Sequence, residues 1–107
     1  MTVLFARLKD LANMAKAKHE TMLSCFLKLR DEITQTVDEN FPELSYTLKD
    51  QEVHVLRRND TLLKVELTTT DYIVIWQGGS YSTFQTYEEA FDELVKAFRD
   101  LIVKGKV

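Results

Sequence analysis

The chain holds one cysteine, one proline and three glycines in 107 residues. Cys25 has no partner for an internal disulfide, so stability must come from a packed core, and a reducing cytoplasm is the expected compartment. No apolar run approaches the ~20 residues that span a bilayer, and MTVLFARLKD lacks the apolar centre and cleavage site of a signal peptide. No membrane association is therefore expected. The single proline is Pro42, and no glycine precedes Gly78. The first forty residues thus contain nothing that interrupts a helix.

Histidine is also scarce. His19 and His54 are far apart, with no cysteine or histidine at ligand spacing, so no metal or other cofactor is expected. Net charge is −3. A mildly acidic domain gains no counterion release on nucleic acid, so nucleic acid is an unexpected partner. The length fits a single domain over residues 1–107.

What remains is strongly patterned. Leu4, Leu8, Leu11, Ala15, Met22, Phe26, Leu29 and Ile33 recur at helical spacing, widened by Phe5, Ala12 and His19. Asp38-Glu39-Asn40-Phe41-Pro42 ends the pattern. A helix of some 35 residues is about 50 Å long, whereas a five- or six-residue strand spans about 17–20 Å. The helix must overhang its sheet or bend, and the weakly apolar segment 13–18 is the expected bend.

Five strands follow, over 44–49, 52–58, 61–69, 71–77 and 81–85, with turn residues between them. Thr86-Tyr87-Glu88-Glu89 has capping-box spacing and opens a second helix. Tyr87, Ala90, Phe91, Leu94, Val95, Phe98, Leu101 and Ile102 form its apolar stripe, and Lys104-Gly105-Lys106 ends it. The expectation is an α+β domain: a long N-terminal helix, an antiparallel four- to five-stranded meander, and a C-terminal helix on the same face.

Hairpin register decides which side chains share a face. A two-residue loop at Asp50-Gln51 opposes Leu48 to Val53 and Tyr46 to Val55. A three-residue loop at 59–61 opposes Val55 to Val65 and Val53 to Leu67. An even loop at Thr69-Thr70 opposes Val65 to Val74 and Leu63 to Trp76, and a Gly78-Gly79 turn opposes Trp76 to Tyr81 and Ile73 to Phe84. This pairing turns Val74 and Trp76 inward and leaves an apolar strip of Leu56, Ile73, Ile75 and Phe84 across the outer face.

No motif for catalysis appears. Cys25 sits beside the apolar stripe without a neighbouring base. Gly78-Gly79 lacks the lysine and helix start of a phosphate loop. The element order is similar to that of double-stranded RNA-binding domains, but Tyr87-Glu88-Glu89 stands where that family presents cations to phosphate. It is similar also to frataxin, but residues 1–30 here are basic where that family carries an acidic ridge on its first helix.

The expected role is a small non-catalytic interaction protein, a homodimer or a partner-binding chain, acting through the outer strip and the overhanging helix. A second expectation is an acidic inhibitor or immunity or counter-defence protein that engages a basic partner through Glu89, Asp92 and Glu93. A third is a small-ligand binder or enzyme with an aromatic pocket at Tyr46, Trp76 and Tyr81.

Overall fold

The computed structural model describes residues 2–106. Helix α1 runs unbroken over Val3–Asn40, followed by β1 (Ser45–Lys49), β2 (Glu52–Arg57), β3 (Asp60–Leu67), β4 (Ile73–Gln77), β5 (Ser80–Phe84) and α2 (Tyr87–Val103). The strands form one antiparallel sheet in the order β1-β2-β3-β4-β5. Both helices pack on one face of it, and Phe26, Leu29, Ile33, Val53, Val65, Ile73, Ala90 and Leu94 belong to a single core. The expected α+β meander is the observed fold.

Each helix end has a local cause. Thr2 accepts a hydrogen bond from the Phe5 amide at 3.1 Å and starts α1. Thr86 does the same for the Glu89 amide at 3.3 Å and starts α2. At the far end of α2, Gly105 takes φ +69° while the Gly105 and Lys106 amides return to the carbonyls of Ile102 and Leu101. This is a Schellman stop, and it needs a residue that tolerates the left-handed region. Arg57 Nη1 then donates to the Lys106 carbonyl at 2.9 Å, tying the C-terminal segment to the end of β2.

The bend expected at residues 13–18 is absent. Alanine, lysine and methionine are good helix formers, so this stretch stays helical although all of it is exposed and only Lys18, over the Tyr72 ring, touches the body. The molecule is therefore elongated, 61 × 21 × 21 Å.

Two hairpins differ from the expected register. Between β2 and β3 the turn is the two-residue pair Arg58-Asn59, both with positive φ, and β3 carries one unmatched residue, Leu62. This bulge restores the parity, so Val53, Val55, Leu63 and Val65 remain on the core face, with Val53 opposite Val65 and Val55 opposite Leu63.

Between β3 and β4 no bulge compensates. Leu67 pairs with Ile73 and Val65 with Ile75, around a turn in which Asp71 takes φ +62°. The connection has an odd number of residues, with Thr69, Thr70 and Asp71 at its tip. Every side chain of β4 is therefore turned to the opposite face from the one expected. Ile73 is 0% exposed and Ile75 3%, both within the core, and Trp76 points outward beside Lys64. The pairing of Ile73 with Phe84 and Trp76 with Tyr81 is as expected, so Phe84 follows Ile73 to the inner side.

Candidate functional site

The expected outer strip does not exist as a surface. Ile73, Ile75 and Phe84 pack in or against the core, and Leu56 is half-buried at the bulge. The outer face of β4 carries Val74 and Trp76 instead. Trp76 Nε1 donates to Glu66 Oε1 at 2.9 Å, and Glu66 is the cross-strand partner of Val74. The indole is thereby held alongside Val74, which is buried despite facing outward.

Around the indole the sheet is polar and internally paired. Lys64 Nζ lies 4.9 Å from the Trp76 ring and 3.9 Å from both Glu52 and Glu66. His54 Nε2 lies 3.4 Å from Glu52 Oε2. The hydrogen bond with His54, with the nearby Lys64 and Lys49, holds the Glu52 carboxyl below the ordinary glutamate value. Every charge in this cluster has a partner within the sheet, and the cluster has the form of a stabilised open face.

The aromatic pocket does not assemble either. Trp76 and Tyr81 pack together on the outer face with ring centroids 4.6 Å apart and planes tilted by 38°. Tyr46 lies on the inner face opposite Val55, where its hydroxyl donates to Asp38 Oδ2 at 3.0 Å. That bond favours the neutral phenol and raises the Tyr46 pKa. Among the described residues no group of three or more His, Cys, Asp or Glu could hold a metal ion. Among the described residues no helix is long and apolar enough to cross a membrane.

The exposed apolar surface lies elsewhere, on α1. Its buried row is Met22, Phe26, Leu29, Ile33 and Val37. The same row continues toward the N-terminus as Leu4, Leu8, Leu11 and Ala15, clear of the sheet. Leu4 is 68% exposed, Leu8 55% and Leu11 61%, with Phe5 and Met14 exposed beside them. This projecting half, the arm, carries Arg7, Lys9, Lys16 and Lys18 against Asp10 alone. It leaves the body at His19, whose Nδ1 lies 2.6 Å from Asp71 Oδ1.

A second apolar feature lies between the C-terminal half of α1 and α2. It is an open groove of about 520 Å³ with Phe41, Phe91, Leu94 and Phe98 in its lining, Val95, Arg99, Ile102 and Val103 from α2, and Glu32, Thr36 and Asn40 from α1. Phe41 and Phe98 stack at 6.0 Å. Phe41 is placed by the helix stop before Pro42, and Phe98 by the phase of α2. At the other end Tyr87 stacks on Phe91 at 5.8 Å. Burial first, then the charges of Glu32 and Glu88, raise the Tyr87 pKa.

Glu89 and Asp92 are exposed on α2 and Glu93 is half-buried, and none of the three takes part in an ion pair among the described residues. The overhanging helix was legible in the sequence as excess length. The groove was not, because it arises from how two helices distant in sequence pack together over the sheet; the available signal was an α2 stripe too wide for one contact.

No protein-family model, no curated protein and no solved structure matches the chain.

Proposed function

We propose that the protein is a non-catalytic interaction protein whose working part is the projecting half of α1. One observation carries this reading: four turns of helix present Leu4, Leu8 and Leu11 in a row to solvent, with Phe5 and Met14 beside them. An isolated helix of this length is marginal in water. Bare apolar surface also forgoes about 25 cal/mol per Å². A contiguous apolar row on a segment that stabilises nothing in its own domain marks a contact site.

Self-association is the form of contact the proposal favours, because an exposed row on every copy can be covered by a second copy in a closed symmetric pair. The test is substitution of Leu8→Glu with Leu11→Glu, both at exposed positions, followed by sedimentation and by affinity capture. The expected result is a folded chain with unchanged circular dichroism that loses its contacts. Contacts that persist unchanged would refute the reading.

A further inference from the structure

We infer that the arm of one copy seats in the α1–α2 groove of a second copy, in a reciprocal arm-exchanged dimer; this rests on the arm being the contact element. Three observations on the chain itself select a second copy as the occupant.

The first is charge. The arm has four cations to one anion. The rest of the helical layer is the reverse: α2 carries Glu88, Glu89, Asp92, Glu93 and Asp100 against Lys96 and Arg99, and residues 19–40 of α1 carry Glu20, Asp31, Glu32, Asp38 and Glu39 against Lys28 and Arg30. Arg7, Lys9, Lys16 and Lys18 take part in no ion pair among the described residues. Two arms laid together would bring like charges side by side. An arm laid on the helical layer of another copy meets a net acidic surround; within the groove lining itself Glu32 and Arg99 balance, so the attraction comes from the carboxylates flanking the groove.

The second is length. From Leu4 to Ala15 is eleven residues along α1, about 16 Å of helix, and Phe91 to Ile102 along the groove is the same. The arm's row thus matches the groove's apolar wall end to end, in the manner of a helix seated in a hydrophobic groove.

The third is rigidity. Helix α1 is continuous from Val3 to Asn40, so an arm cannot fold back into its own groove. If two α1 helices pass side by side in antiparallel sense, the arm of each lies beside the groove-lining end of the other. One two-fold axis then fills both grooves, and every contact is made twice.

The test uses two variants of the full chain. The arm variant is Leu8→Glu with Leu11→Glu, and the groove variant is Val95→Glu with Ile102→Glu, at positions 52% and 53% exposed. Circular dichroism and melting confirm that both fold. By sedimentation velocity the wild type is expected at twice the chain mass, and each variant alone at the chain mass. An equimolar mixture of the two is expected to recover a heterodimer, because one intact arm meets one intact groove.

A groove variant that stays dimeric would overturn the arm-in-groove contact while leaving the arm as the contact element. A wild type that is monomeric at ~100 μM, yet whose arm binds vesicles of phosphatidylcholine and phosphatidylserine, would overturn the dimer in favour of a membrane surface. An arm variant indistinguishable from wild type in every assay would remove both the inference and the reading beneath it.

Discussion

His19 Nδ1 lies 2.6 Å from Asp71 Oδ1, and this contact marks the point where α1 leaves the body of the protein. On its C-terminal side Met22, Phe26 and Leu29 are buried; on its N-terminal side every described residue is exposed. Lys18 Nζ sits 5.9 Å from the centre of the Tyr72 ring and reinforces the same junction. The β3–β4 turn thus serves as a bracket for the base of the arm, and Asp71 can serve in it because a short polar side chain tolerates the left-handed backbone at φ +62°.

A double-mutant cycle on this pair follows directly. The His19→Ala and Asp71→Asn changes should show a coupling of about 0.2–1 kcal/mol in urea unfolding, the range of a partly exposed pair. Asp71→Ala should cost more than Asp71→Asn, since alanine loses the contact and is also unfavourable at positive φ. Equal effects of alanine and asparagine at 71 would contradict the bracket.

The inward placement of β4's odd residues has a sharp consequence. Ile75→Ala should destabilise by about 2–5 kcal/mol, the cost of a core cavity. Ile75→Lys should leave the chain unfolded at 25 °C, because a charge would replace a core side chain. A folded, cooperative Ile75→Lys variant would mean that this side chain is at the surface and that the strand pairs one step away.

That register also shows where the sequence ceased to be readable. Element order, the start and stop of α2, the β1–β2 and β4–β5 pairings and the overhang of α1 all follow from local signals. Spacing, a threonine before a glutamate and a glycine pair are each read within a few residues. The β3–β4 turn has no glycine or asparagine to fix its length, and an odd or an even loop fits Thr68-Thr69-Thr70-Asp71 equally well. The alternation of β4 cannot arbitrate, because Tyr72, Ile73, Val74, Ile75 and Trp76 are apolar on both phases. One turn of ambiguous length therefore inverted the face of a strand and placed the candidate strip of Ile73, Ile75 and Phe84 outside when it is inside. The β2–β3 turn is illegible in the sequence for another reason: Arg58 is an unusual residue at φ +52°, and its hairpin needs a bulge at Leu62 to keep the core face intact.

That same Arg58 carries a backbone cost. A non-glycine residue in the left-handed region is disfavoured by about 1–2 kcal/mol, and glycine is the residue such turns prefer. Arg58→Gly should therefore raise stability by up to about 1 kcal/mol after glycine's larger unfolded-state freedom is subtracted. Thermal melting measures this; a lower melting temperature would argue against the two-residue turn.

The paired outer face predicts a pH dependence. The Glu52 carboxyl is held below its ordinary value by His54 and the neighbouring lysines. Its contribution to stability is therefore fully present above the unfolded-chain value near 4.5 and is lost as pH falls through the lower folded value. Glu52→Gln should flatten the acid limb of melting temperature against pH between about 5 and 3, with little change at pH 7. An unaltered acid limb would show that Glu52 is not held in this way.

The central claim is that the projecting half of α1 is a contact element, and amide hydrogen exchange along α1 tests it most directly. At high protein concentration the amides of residues 6–18 should be protected, and on dilution below the dissociation constant they should lose that protection while residues 22–37 keep theirs. Arm amides that exchange freely at every concentration, or whose protection does not respond to dilution, would contradict the account.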